Sequence, residues 1–252
     1  VPYQIKGSQK KKFTGLHIFD RYISMPYLPV FLDLTGRKCL VIGAGSVGKR
    51  KIAVLLASGA SNILVLDPHV AKPSFDTDIS HPAVNFIQRP FYPEDLQGVS
   101  LVIASSADPQ LNKEICRLCQ EDTILCNIVD DPERGSFIVP ALHRQGDLIL
   151  TVSTSGASPA LAKKIKNELA AKYGPEYDLW LRLLARIRKL LLGYHYPTQE
   201  NTRIFRSLIE DDIYNSLTSQ DESQLISILY QKLPETLHHA IREIIYDLFD
   251  PV

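Results

Sequence analysis

Lys38-Cys39-Leu40-Val41-Ile42-Gly43-Ala44-Gly45-Ser46-Val47-Gly48-Lys49-Arg50-Lys51 is the stretch that decides the fold. An apolar run of strand character, Lys38–Gly43, ends in Gly-x-Gly-x-x-Gly, and a helical pattern over Val47–Ser58 follows at once. The order has a physical purpose. Gly43 permits a tight turn out of the strand, Gly45 lets backbone approach a pyrophosphate, and Gly48 lets the helix pack against the sheet. The helix N-terminus then offers free N–H groups and a partial positive charge to phosphates. Gly43, Ala44, Gly45, Ser46, Val47 and Gly48 are therefore read as a dinucleotide loop. A second strand, Asn62–Leu66, runs into Asp67, about two dozen residues on, where a ribose-binding carboxylate belongs. Incidental glycines in a strand–turn–helix would need no such acid.

The chain has 252 residues, 45% hydrophobic and 22% charged, enough for one large domain or two smaller ones. Lys+Arg and Asp+Glu are both 28, which argues against nucleic-acid binding through a global positive field. No apolar stretch is long enough to span a bilayer, and the N-terminus lacks the apolar core of a secretory signal. A cytoplasmic protein without membrane attachment is the expectation. Cys39 and Cys126 lie in apolar runs, as small buried hydrophobes do. Cys116-Arg-Leu-Cys119 has C-x-x-C spacing, but no second pair completes a zinc site and no histidines have ligand spacing. Plain reduced cysteines and no metal site are expected. Residues 1–25, with their Lys10-Lys11-Lys12 run, read as an N-terminal extension preceding a domain that starts near Met25.

Strand and helix patterns alternate through the first half. Ala83–Gln88 and Ser100–Ala104 read as further strands, the latter buried on both faces. Asp108 caps a helix with Pro109 in its first turn, running to about Gln120, and Thr123–Val129 is a fifth strand. The expected fold is α/β, a Rossmann-like doubly wound parallel sheet, with ligand at the C-terminal strand ends. Ser105, just past the fourth strand, joins the cofactor-binding set. Beyond Asp130, Ser136–Leu142 and Asp147–Ser153 read as a hairpin. A polar loop, Ser153-Thr-Ser-Gly-Ala-Ser158, leads into a helix capped by Ser158 and running to about Tyr173. The remainder is helical: Glu176–Leu192, Thr202–Leu208, Glu222–Gln231 and Glu235–Phe249.

The fifth strand ends in Cys126-Asn127-Ile128-Val129-Asp130-Asp131-Pro132, on the rim that carries the glycine loop. A carboxylate there can take up a proton released in a dehydrogenation. On spacing alone, Asp-Asp-Pro is equally an ordinary turn. Lys49, Arg50 and Lys51 divide evenly between facing anionic groups and forming a solvated helix face. Asp67 favours NAD over NADP by repelling a 2′-phosphate, a preference softened by nearby His69 and Lys72.

Several segments in order resemble the precorrin-2 dehydrogenase family, which includes the N-terminal half of siroheme synthases and the stand-alone dehydrogenase/ferrochelatases. They are Tyr27-Leu-Pro-Val-Phe-Leu-Asp-Leu34, the glycine stretch, Leu-Val-Ile-Ala-Ser-Ser-Ala-Asp108 and Cys-Asn-Ile-Val-Asp-Asp-Pro132. Ser-Phe-Ile-Val-Pro140 and Thr-Val-Ser-Thr-Ser-Gly-Ala-Ser-Pro-Ala-Leu-Ala162 complete the set, which covers about residues 27–173. The resemblance implies NAD⁺-dependent oxidation of precorrin-2 to sirohydrochlorin by a homodimer whose 131–174 region exchanges contacts between subunits. It makes Asp130 the key acid, and it implicates the same acid in inserting Fe²⁺ where a member is bifunctional. It assigns Asn127, Ser153, Thr154, Ser155, Gly156 and Ser158 to the tetrapyrrole substrate. The domain reading that follows is extension 1–25, NAD-binding domain 26–130, dimerisation region 131–174 and helical domain 175–252.

A bifunctional enzyme that also inserts iron, and a non-catalytic dinucleotide- or tetrapyrrole-binding module, are the alternatives. A short-chain dehydrogenase is disfavoured because no Tyr-x-x-x-Lys occurs in the chain. With no methyltransferase half in this sequence, precorrin-2 is expected to come from another protein.

Overall fold

The computed structural model describes residues 27–249, apart from 73–74, 76–78 and 132. The expectation for residues 1–25 lies outside the described residues. Two compact units divide between residues 139 and 140. Hairpin and helices thus share one unit, where the sequence reading divides at 131 and 175.

In the first unit, β1 (Lys38–Ile42), β2 (Asn62–Leu66), β3 (Val84–Ile87), β4 (Val99–Ala104) and β5 (Leu125–Ile128) form one sheet in the order β3-β2-β1-β4-β5. All four pairings are parallel, as the continuous apolar runs require for strands covered on both faces. Alternation along β1 shows why. Cys39 and Val41 enter one core with Ile52 and Leu55 of α1 (Ser46–Ala57), whereas Leu40 and Ile42 enter the other with Ile115, Cys116 and Cys119 of α2 (Pro109–Glu121). The chain runs outward from β1 to β3 and then returns to β4 on the other side of β1. The switch point, where ligands bind in such sheets, lies between β1 and β4.

Register sets the rim. Ile42 pairs with Leu66 and with Ala104, and Ala104 pairs with Ile128. The next residues, Gly43, Asp67, Ser105 and Val129, therefore leave the sheet at one level.

The expected strand from Ser136 begins only at Ala141. The Ser136 N–H donates to the Cys126 carbonyl at 2.8 Å and its hydroxyl accepts from the Cys126 N–H at 2.8 Å, which ties this segment to β5. Pro140 then lacks a ladder donor.

In the second unit, β6 (Ala141–Gln145) and β7 (Leu148–Val152) form an antiparallel hairpin with Gly146 at φ +55° in its turn. Helix α3 (Pro159–Lys172) packs on the hairpin. Then come α4 (Pro175–Gly193), α5 (Thr198–Ser207), α6 (Asp211–Thr218), α7 (Glu222–Lys232) and α8 (His238–Phe249). Leu183, Ile187 and Leu191 of α4, one turn apart, anchor a core with Ile213, Leu225, Leu229, Ile241 and Ile245. The sequence reading omits α6. It has eight residues, no side-chain cap, and only Ile213, Ser216 and Leu217 buried, so its local signal is short.

Candidate functional site

A cleft of about 670 Å³ opens at the switch point of the first unit, a size suited to a bound small molecule. Its floor is the glycine loop. Gly43 turns at φ +97°, and a β-carbon there would lie 2.7 Å from the Ser106 nitrogen. Gly48 packs more specifically than the sequence reading supposes: a β-carbon there would fall on the Gly43 carbonyl oxygen and 3.0 Å from Ser105 Oγ. It lets the helix close on the glycine turn itself. Gly45 is the contrast, because a β-carbon there meets nothing within 4 Å. The space above it belongs to the cleft. Gly45 caps α1 without a side-chain hydrogen bond, and no acid occupies the first turn. The orphan N–H groups of that turn and their positive field are left for an anion. These features fit a dinucleotide pyrophosphate.

Two side chains hold the loop. The Ser105 hydroxyl lies 3.0 Å from the Ile42 carbonyl and 2.9 Å from that of Gly43. Asp67, 8% exposed, accepts from the Ala44 N–H at 2.7 Å, and from those of His69 and Val70 at 2.8 and 3.0 Å. Burial pushes the Asp67 pKa up, but the three backbone donors outweigh it and hold it below the ordinary carboxylate value. Asp67 thus clamps the loop as well as facing the cleft.

The apolar wall includes Pro68, Val70, Pro90, Phe91 and Leu111. Its Pro90–Phe91 part is braced by Arg89, whose guanidinium pairs with both oxygens of Asp95 at 2.6 and 2.8 Å and donates to the Pro90 carbonyl at 2.8 Å. This brace escapes sequence reasoning.

Asp130 lies at the exposed mouth of the cleft. Its Oδ1 accepts from Asn112 Nδ2 at 3.2 Å. Asn112, 1% exposed on α2, also donates to the Ser106 carbonyl at 3.1 Å, and its Oδ1 accepts from the Ser106 N–H at 3.1 Å and hydroxyl at 2.8 Å. Sequence reasoning overlooked Asn112. The available signal was an amide in the buried stripe Asn112, Ile115, Cys116, Cys119, at helical spacing.

Other expected residues lie elsewhere. Asn127 does not line the cleft: it is 4% exposed, and its Nδ2 donates to the Phe137 carbonyl at 3.0 Å, so it fastens the chain after β5 rather than facing a ligand. A central position on a strand buried on both faces explains this. Lys49, Arg50 and Lys51 are also outside the cleft lining. Burial, with Arg50 nearby, lowers the Lys51 pKa.

In the second unit, Ser153–Ser158 form a self-bonded loop. Ser153 Oγ accepts from the Ser155 N–H at 3.1 Å, Thr154 Oγ1 from the Ser158 N–H at 3.1 Å, and Ser158 Oγ from the Leu161 N–H at 3.2 Å. Ser155 and Gly156 both turn at positive φ, +50° and +86°. All four cysteines are free and buried. Among the described residues no group of three or more His, Cys, Asp or Glu side chains could hold a metal ion, and no helix is long and apolar enough to cross a membrane.

Comparison with known proteins follows the same division of the chain. Residues 30–141 match the family described as "Putative NAD(P)-binding", and residues 145–172 match "Sirohaem biosynthesis protein central". The siroheme synthase of Nitrosomonas europaea is 33% identical over 181 residues, 72% of this chain and 38% of that protein. Siroheme synthase 2 of Klebsiella pneumoniae is 29% identical over 217 residues, 85% of this chain and 47% of that protein. The chain thus spans less than half the length of these relatives. Among solved structures, SirC, a precorrin-2 dehydrogenase, superposes with a TM-score of 0.66 at 26% identity, covering 82% of this chain and 98% of that one.

Proposed function

The chain belongs to the family of siroheme synthases and precorrin-2 dehydrogenases, and from that premise we propose that it oxidises precorrin-2 to sirohydrochlorin using NAD⁺. The observation that carries the reading is one cleft with a glycine loop open to a pyrophosphate and an exposed, tethered carboxylate, Asp130, at its mouth. The substrate loses two electrons and two hydrogens, one leaving as hydride and one as a proton. Bound NAD⁺ supplies the hydride acceptor. Asp130 takes up the proton through the oxygen that Asn112 leaves free. Neither a metal nor a cysteine nucleophile is needed for this oxidation.

The cofactor is NAD rather than NADP on this reading, because Asp67 is held ionised at the end of β2, where it repels a 2′-phosphate. The cofactor-binding set is Gly43–Gly48, Asp67 and Ser105. The tetrapyrrole carries many carboxylates. Ser153, Thr154, Ser155, Gly156 and Ser158 form the loop that receives one of them, through the Ser155 hydroxyl, while the Ser155 and Ser158 N–H groups hold the loop's shape. A homodimer, with residues 131–174 at the subunit contact, would cover so large a ring. Four reduced cysteines suit the cytoplasm.

The test is an anaerobic assay with enzymatically generated precorrin-2 and NAD⁺, following NADH and the sirohydrochlorin spectrum. Stoichiometric NADH is expected. Its absence overturns the proposal and leaves a binding module. Adding Fe²⁺ afterwards distinguishes a dedicated dehydrogenase from one that also accelerates metal insertion.

A further inference from the structure

We propose that Asn112 is the positioning residue of this site, orienting Asp130 by tying it to the backbone of Ser106. The inference rests on the dehydrogenase reading and deepens it. An amide offers two donors and two acceptor lone pairs, and Asn112 uses all four. Nδ2 gives one hydrogen to the Ser106 carbonyl at 3.1 Å and the other to Asp130 Oδ1 at 3.2 Å. Oδ1 receives the Ser106 N–H at 3.1 Å and the Ser106 hydroxyl at 2.8 Å. The reverse orientation would set N–H against N–H and carbonyl against carboxylate, so the partners fix which atom meets Asp130.

The consequence is mechanical. Ser106 lies beyond β4 and Asp130 beyond β5, and both line the cleft. Asn112 joins these two rim segments from beneath, on a helix whose start is set by the Asp108 cap and Pro109. Its amide engages one Asp130 oxygen and leaves the other for the substrate proton. An exposed carboxylate at the end of a turn would otherwise sample many rotamers. Asp67, His69 and Asp108 also line the cleft, and Asp131 is paired with Arg134 at 2.9 Å, but Asn112 is the neighbour that donates to Asp130.

Asn112→Asp tests this with nearly unchanged shape. It keeps the acceptor for the Ser106 N–H and hydroxyl, and replaces Nδ2, the donor to both Asp130 and the Ser106 carbonyl, by a second carboxylate oxygen. Two carboxylates in that contact share a proton. We expect kcat to fall by about 10²-fold, the scale of a misplaced reacting group. KM for NAD⁺ should stay within a few-fold, and the acid limb of the pH–rate profile should move to higher pH. In an Asp130→Asn background the same change should cost little more, because its effect passes through Asp130. If Asn112→Asp does not fold, Asn112→Ser, which keeps a hydroxyl near Ser106 and loses the bond to Asp130, carries the test by the same split. Parental kcat and pH profile, or an equal loss in the Asp130→Asn background, overturns the inference while the dehydrogenase reading stands. No NADH from the parent protein overturns both.

Discussion

Replacing Gly48 by alanine sets two known effects against each other. In an isolated helix the change stabilises by about 1 kcal/mol. Here the new methyl would land on the Gly43 carbonyl oxygen and lie 3.0 Å from both the Gly43 carbonyl carbon and Ser105 Oγ. The carbonyl group is backbone in a turn at φ +97° and cannot rotate aside. The first turn of α1 must retreat by about 1 Å, and such overpacking costs about 1–3 kcal/mol or more. Because the clash is with backbone, the cost falls in the upper half of that range, and overpacking wins by about 1–2 kcal/mol, which lowers the melting temperature by about 4–8 °C for a unit of this size. The retreat also draws the helix N–H groups away from a bound pyrophosphate. Gly45→Ala is the matched control. Its φ is −67°, open to any residue, and its β-carbon meets no atom, so the stability cost is confined to alanine's poorer N-capping, about 1 kcal/mol at most. Yet that methyl fills the space above the loop. Losing one charge-assisted hydrogen bond, about 1.5–3 kcal/mol, should weaken NAD⁺ by about 10- to 100-fold. Thermal denaturation followed by circular dichroism, with calorimetric titration of NAD⁺, reads both variants. A Gly48→Ala protein that melts with the parent, or a Gly45→Ala protein with parental affinity, would refute the reasoning for that glycine.

Asp130→Ala should fold and bind NAD⁺ within a few-fold of the parent while turnover falls by about 10²–10⁴-fold; activity within a few-fold would leave Asp130 a turn residue. Asp67 titrates below its ordinary 3.8 in the folded chain. Its stabilisation is therefore present above that value and disappears as pH falls through the folded pKa. Denaturant midpoints should show Asp67→Asn less stable than the parent at neutral pH, with the gap narrowing as pH falls below 3.8; a constant gap excludes the clamp. The same variant should discriminate less between NAD⁺ and NADP⁺ in a titration of each. With all four cysteines buried, and burial raising the Cys39 and Cys116 pKa values, a thiol reagent should modify the native protein slowly and four thiols rapidly in denaturant. A fast-reacting thiol in the native state contradicts this packing.

The sequence alone determined whatever short-range chemistry dictates. Continuous apolar runs meant strands covered on both faces, three glycines at fixed spacing meant a strand–turn–helix open to phosphate, and Asp108-Pro109 and Ser158-Pro159 marked helix starts to the residue. The position of Asp67 and Asp130 on the rim followed from topology once a doubly wound sheet was inferred. The partners of those residues belong to tertiary structure. Strand register brings Asp67 to the Ala44 N–H, 23 residues away, and the docking of α2 brings Asn112 to Asp130, 18 residues away. Tertiary packing also buries Asn127, which the family resemblance had assigned to the substrate. A side chain's backbone preference is local, but its hydrogen-bond partner is chosen by which elements pack against it.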